Sequence, residues 1–342
     1  MSAGDDSLPG ISVLMPTLNA ARYLEGCLRS LREQDYPQDR LELICADAGS
    51  TDATLELLAR YGADRVVPNP GTTGEAGRAI LNKLATRELI LSIDADNYLR
   101  GTDWLRRMVQ PLLDDPTVFA AEPLRWDYRT DDPPVNRYFS LSGVNDPVSL
   151  FMGNYGRMCY LTGKWTEIPH REETHDGYLV AELTPGQVPT MGANGFLVRT
   201  EVLRQLDVGE YYFDIDVVAQ LVGMGHTRVA KVDVALGHHF ARDLPSLVRK
   251  TRRRAEDFLY WRQHRAYPWL SSGRGAIGKF SLYTVLTVPL LWQALQGYRR
   301  VPDRAWLYHV PVCWMTLVLY AWAVIRASVR GKAPYSRQDY VH

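Results

Sequence analysis

Apolar positions along the first hundred residues alternate between two periods. Ile11 to Met15 is a short apolar run of strand length, closed by Pro16-Thr17-Leu18-Asn19, and Ala20 to Arg32 then sets Tyr23, Leu24, Cys27, Leu28 and Leu31 at helical spacing. The alternation continues with a strand at Leu41 to Ala46, a helix at Ala53 to Arg60, a strand at Arg65 to Val67, a helix at Glu75 to Thr86 and a strand at Glu88 to Ile93. Such alternation predicts an α/β, doubly wound, mostly parallel sheet whose ligands sit outside the carboxyl ends of the strands. Each polar cluster in this half stands at one of those ends.

Beyond Trp126 the periodicity fades. Residues 127–189 mix Pro, Gly, Asp and aromatics, and so long an irregular stretch in a compact domain predicts a functional loop or lid. Trp165, between Lys164 and Thr166, is its candidate contact for an acceptor, since an indole offers a flat apolar face; core packing is the alternative. Order returns with Thr190 to Val198, a helix near Glu201 to Leu206, another from Asp216, a strand at Arg228 to Val234, and a basic amphipathic helix from Leu244 to His264.

The C-terminal pattern is of another kind. Phe280 to Tyr298 carries no charged residue and Ala305 to Ile325 only His309, so both approach a membrane span of roughly 20 residues. Arg262, Arg265, Arg274 and Lys279 precede the pair and Arg326, Arg330, Lys332 and Arg337 follow it, which puts both ends of a transmembrane hairpin in the cytoplasm. Arg299, Arg300 and Arg304 in the connection fit a second arrangement, two helices lying in the interface behind a belt of Trp and Tyr. The expected organisation is an α/β domain over 1–240 that includes the 127–189 loop, a basic linker over 241–273 at the membrane surface, and two transmembrane or interfacial helices with a basic tail over 274–342.

Composition narrows the partners. The 342-residue chain has 39 basic and 39 acidic side chains, so no global field points to nucleic acid. The basic excess is local, in Arg249, Lys250, Arg252, Arg253 and Arg254, and suits either a phosphate or anionic lipid headgroups. The four cysteines lack metal-ligand spacing and read as reduced structural thiols, and Met1 to Gly10 is too polar for a signal peptide.

The chemistry concentrates in carboxylates. Asp94 and Asp96, one residue apart at a strand tip, are poorly placed for stability but well placed to hold Mg²⁺ or Mn²⁺ against a diphosphate; as a bare triplet they are also compatible with a solvated turn. Asp47 can accept a base N–H or cap its own turn. Taken together, Ser12 to Asn19, Asp47-Ala48-Gly49-Ser50-Thr51-Asp52, Arg78 sixteen residues before Asp94, and the Asp-x-Asp triplet resemble the family 2 glycosyltransferases of the GT-A fold, over roughly residues 11–250. Leu18 stands where Tyr is common, and Ala79 where the family has Asn.

The resemblance implies a set of roles. Pro16, Thr17, Asn19, Asp47, Arg78 and Asp94 would line the nucleotide, with Gly192 and Asn194 of a small-residue strand beside the donor sugar. Asp94 and Asp96 would hold the metal, with His238 or His239 completing its shell. Asp216 matches the second acid of the family's acidic pair, Ile215 replacing the Glu, and Asp214 is a further candidate; one of them would be the general base of an inverting transfer. Lys250 and Arg253 would meet phosphate or acceptor. The implied activity is sugar transfer from a UDP- or GDP-sugar to a lipid-linked acceptor at the cytoplasmic face of a membrane, assisted by Mg²⁺ or Mn²⁺, without nucleic acid. Direct transfer to polyprenyl phosphate is the alternative within the class. A nucleotidyltransferase would need a Gly-rich signature that Pro16 to Asn19 lacks, and a non-catalytic scaffold would leave the acids unexplained.

Overall fold

The computed structural model describes residues 7–261, 265, 267 and 274–330. The chain divides into two compact units, one of Met1–Asp127 with Pro169–His238 and one of Tyr128–Ile168 with His239–His342. Residues 128–168 therefore cluster with the C-terminal helices, where the sequence pattern had grouped them with the α/β domain.

The first unit is a ten-stranded mixed sheet. β1 (Ile11–Thr17) is parallel to β2 (Leu41–Asp47) and to β4 (Leu89–Ser92), and β2 is parallel to β3 (Arg65–Pro68). Its helices on this side are α1 (Ala21–Arg32), α2 (Thr54–Arg60) and α3 (Gly74–Leu84). In α1 the buried residues are Leu24, Cys27, Leu28 and Leu31, the stripe its spacing announces. β9 (Phe196–Arg199) then runs antiparallel to β4 and to β6 (Val118–Trp126), and β10 (Arg228–His238) is parallel to β6. By these directions the C-termini of β1, β2, β4, β6 and β10 and the N-terminus of β9 all meet at one edge of the sheet. That edge carries every site residue of this unit.

Three elements on the far side were not legible as periodicity. β7 (Arg171–His175) and β8 (Tyr178–Glu182) form a hairpin that extends the sheet from β10, and short β5 (Asn97–Leu99) pairs with the end of β10. α4 (Trp104–Asp114) packs on β6 and β10, its fully buried Trp104 donating Nε1–H to the Ala235 carbonyl at 3.0 Å. Gly237 is obligatory here, because a Cβ would lie 2.0 Å from the Tyr98 ring that packs on it. α7 (Thr200–Leu203) and α8 (Asp214–Gly223) complete the unit.

The second unit is helical: α5 (Pro134–Ser142), α6 (Pro147–Met152), α9 (Leu244–Trp261), α10 (Arg274–Leu286), α11 (Val288–Arg300) and α12 (His309–Arg330). Residues 128–168 are thus not a structureless loop. α5 and α6 are short and each ends on a glycine with positive φ, Gly143 and Gly153, which is why no long periodic run marks them. Asp303 fixes α5 by ion-pairing with Arg137 at 3.0 Å, accepts the Tyr128 hydroxyl at 2.5 Å and caps the helical run at Ala305 N. The Phe139 and Phe240 rings lie 4.0 Å apart in a core that includes Trp306.

The first apolar segment is a bent pair of helices and not one straight helix. α10 and α11 meet at a break of 93° around Thr287, whose φ is +60° and which precedes Val288-Pro289. The 26-residue run Arg304–Val329 is long and apolar enough to cross a membrane. The predicted continuation of α9 to His264 and the basic tail after Arg330 lie outside the described residues.

Candidate active site

Two loops at the sheet edge are tied into one wall. Asp47, at the end of β2, accepts four hydrogen bonds: from the backbone N of Gly49 and of Ser50 at 2.8 Å, from Ser50 Oγ at 2.6 Å and from Thr17 Oγ1 at 3.0 Å. Four donors match the lone pairs of an ionised carboxylate, so Asp47 organises the wall in this state, and a nucleobase N–H would have to displace one of them. Asn19, with φ of +46°, links across by accepting from Thr51 N at 2.9 Å and donating its own N–H to Ser50 Oγ at 2.8 Å. Asp52 caps the start of α1 through Ala21 N; although burial opposes it, its hydrogen bonds from Thr54 and Ala21 hold its carboxyl below the usual range.

Arg78 is the hub. Its guanidinium is 5% exposed on α3, donates to Asp94 Oδ1 and approaches Asp214 Oδ1 at 3.6 Å. Burial opposes its charge, yet the facing carboxylates of Asp94, Asp214 and Glu75 raise its pKa above the ordinary value. One buried cation thus holds the acid after β4 to the acid that opens α8. Tyr212, 1% exposed, abuts this pair; burial and the Asp214 charge push its phenol up. Nothing in the local sequence marks Tyr212 for this position.

The two acids of the triplet part company. Asp94 turns to Arg78, while Asp96 Oδ1 lies 3.6 Å from His238 Nε2, and the His238 ring packs on Trp126 at 5.1 Å. Of the four expected metal residues, Asp94 is the counter-charge of buried Arg78 in this structure, and His239 begins the last segment of the second unit. Among the described residues no group of three or more His, Cys, Asp or Glu converges to hold a metal. Asp96 and His238 remain a carboxylate–imidazole donor pair, the kind that binds a divalent ion together with a substrate's phosphate oxygens.

Between these acids runs the loop before β9. Gly192 has φ of +108°, and a Cβ there would meet the Asp214 carbonyl at 2.5 Å; Asn194 has φ of +40°, and Gly195 N donates to Ser92 O at 2.7 Å. The loop is therefore packed against both acid-bearing turns. At the N-terminus of α8 the side chain of Asp214 is 30% exposed, whereas Asp216 is 2% exposed. Both stand where a helix dipole favours negative charge.

Besides His239, three expected site residues lie in the second unit. Trp165 is 4% exposed, so packing accounts for it and its indole offers no open face. Lys250 Nζ donates to the Phe240 carbonyl at 2.9 Å and sits 4.5 Å over the Phe240 ring, and Arg253 is on the same helix, α9. Of its neighbours, Arg252 pairs with Glu256 and Arg254 with the Asn145 carbonyl.

An α/β sheet that gathers a capped loop wall, a buried arginine and the four acids Asp94, Asp96, Asp214 and Asp216 at its carboxyl edge belongs to the class whose ligands bind at that edge. Residues 12–170 match the model of Glycosyl transferase family 2, and the chain carries a domain of that family. The chain is 33% identical over 94 residues to the poly(ribitol-phosphate) beta-N-acetylglucosaminyltransferase TarS of Staphylococcus aureus (26% of this chain, 16% of that protein). It is 34% identical over 156 residues to the glycosyltransferase AglE of Haloferax volcanii (44% and 51%). The chain thus spans only about half or less of the length of these relatives. A mannosyltransferase of Pyrobaculum calidifontis, solved with GDP-Man and Mn²⁺, superposes with a TM-score of 0.52 over 93% of this chain and 88% of that one, at 21% identity. The fold is the GT-A mixed sheet with its flanking helices.

Proposed function

We propose that the protein is an inverting glycosyltransferase that moves a sugar from a UDP- or GDP-sugar to a lipid-linked acceptor at the cytoplasmic face of a membrane. The observation that carries this reading is Arg78, which joins the acid after β4 to the acid of α8 across the carboxyl edge of the sheet. It brings a diphosphate-facing group and a candidate base within one site, as transfer to a hydroxyl requires. The loop wall of Pro16, Thr17, Asn19 and Asp47 takes the nucleoside, and the small residues Gly192 and Asn194 leave room for the sugar.

Asp96 and His238 would hold Mg²⁺ or Mn²⁺; when bound, the ion neutralises charge on the departing nucleoside diphosphate. Asp214 lies against Arg78, and Asp216 matches the second acid of the family's pair, so we assign the base role to Asp216. It takes the proton of the acceptor hydroxyl as that oxygen attacks the anomeric carbon opposite the leaving diphosphate. The membrane part of the reading rests on the apolar helices of the second unit. Val285, Val288 and Trp292 are 60%, 70% and 52% exposed, and Leu307, Val318 and Trp322 extend this apolar surface.

The test is transfer by the full chain in lipid vesicles, with a panel of sugar nucleotides and polyprenyl-linked or soluble acceptors. Metal-dependent transfer to the lipid-linked acceptor supports the reading. Equal rates on soluble acceptors would reject the lipid, and no transfer from any donor would reject the enzyme.

A further inference from the structure

Beneath the loop before β9 lies a buried ion pair that the reaction as described does not use. Lys231 Nζ meets Glu122 Oε2 at 2.7 Å, the two side chains being 0% and 1% exposed on the register-paired strands β10 and β6. Exchanging such a pair for apolar residues of like volume is often neutral for stability, so the fold alone does not account for it. The other carboxylate oxygen, Glu122 Oε1, accepts from Gly192 N at 3.3 Å. Gly192 abuts the Asp214 carbonyl, and three residues later Gly195 N is held by Ser92, two residues before Asp94.

We propose that Glu122 is a positioning residue: anchored by Lys231, it fixes the Gly192 amide so that the 192–195 loop sets the spacing between the Asp94/Asp96 turn and the N-terminus of α8. It touches no reacting atom. Its effect passes through backbone, from Glu122 to Gly192 to the first turn of α8 on one side, and through Gly195 to β4 on the other. The proposal deepens the transferase reading, on which its kinetic half rests; its structural half stands without it.

Two double variants separate the hydrogen bond from the charge pair. In E122Q/K231M the Gln carbonyl oxygen still accepts from Gly192 N and both charges of the pair are removed together; in E122L/K231M the volume is kept and the acceptor is gone. Hydrogen exchange on the full chain is read first, since it needs no substrate. The expected result is exchange at residues 192–195 and 214–217 at least about tenfold faster in E122L/K231M, with E122Q/K231M like wild type and similar thermal midpoints for both. Donor hydrolysis then follows, with kcat in E122L/K231M lowered on the order of 10²-fold and KM within about threefold, as for a misplaced group. Equal exchange in the two doubles would overturn the proposal. Altered exchange with unchanged kcat would overturn the link to the acids alone, and wild-type protein that hydrolyses no donor would instead indict the transferase reading.

Discussion

The two units hide and show opposite things. The first buries charge, with Asp47, Arg78, Glu122, Asp216 and Lys231 all under 9% exposed, and leaves only Leu55, Val66, Leu113 and Met224 as exposed large apolar side chains among its described residues. The second exposes eighteen such side chains among its described residues, most of them on α10, α11 and α12. Burying ions costs several kcal/mol each unless they are paired, and exposing this much hydrocarbon to water is equally unfavourable. Each departure makes sense only with a ligand in view. Preorganised charge suits a polar substrate, and uncovered apolar helices suit a lipid surface.

The largest effect should come from removing the cation at the centre of the first unit. Arg78→Met leaves Asp94 and Asp214 facing each other without their shared partner, and turnover should fall about 10³-fold, the scale seen when one preorganised charge is lost. Steady-state rates with the preferred donor check this, and vesicle binding should not change. If membrane binding falls in parallel, the division of labour between the units is wrong.

The converse substitution is next. Val285→Asp, Val288→Asp and Trp292→Asp together remove exposed apolar area, each side chain worth about 1.5–3 kcal/mol when fully buried, so partition to vesicles should drop at least about 100-fold. Donor hydrolysis in detergent should stay within about twofold. Deleting everything after Gly273 is a poorer test, because Ala294, Trp306 and Val312 belong to the core of the second unit.

A smaller effect concerns acid. Burial works against the charge of Asp303, but the Tyr128 hydroxyl, Ala305 N and Arg137 hold its carboxyl below the usual range. A group depressed in the folded state stabilises above its unfolded pKa, and that stabilisation is lost as pH falls through the folded value. The second unit should therefore lose stability as the pH drops below about 4, and Asp303→Asn should remove this slope while costing on the order of 2 kcal/mol at neutral pH. Thermal melts across pH 3 to 7 measure both; an unchanged slope in the variant would show that Asp303 is not responsible.

The sequence read the two units unequally as well. To Ile93 the buried strands were legible as short apolar runs and the helices as one face buried at a regular period, and Asp47, Asp94 and Asp214 stood out because they sit at element ends. The hairpin β7–β8 was not, since all five residues of β7 are exposed and show no alternation, although Asp176-Gly177 between His175 and Tyr178 is the two-residue turn signal that reveals such a pair. The break at Thr287 hid inside an uncharged run, with Pro289 as its only mark. Partners distant in sequence were out of reach: nothing near Arg78 foretells Asp214, and nothing near Glu122 foretells Lys231.

The central claim is that the carboxyl edge of the first unit binds a nucleoside-diphosphate sugar through a metal held at Asp96 and His238. Calorimetric titration of the full chain with UDP- and GDP-sugars, with Mn²⁺ or with EDTA, tests it against Asp96→Asn. The account predicts binding of one donor class that needs the metal and weakens at least about tenfold in the variant. Metal-independent binding of equal strength in both proteins would contradict it.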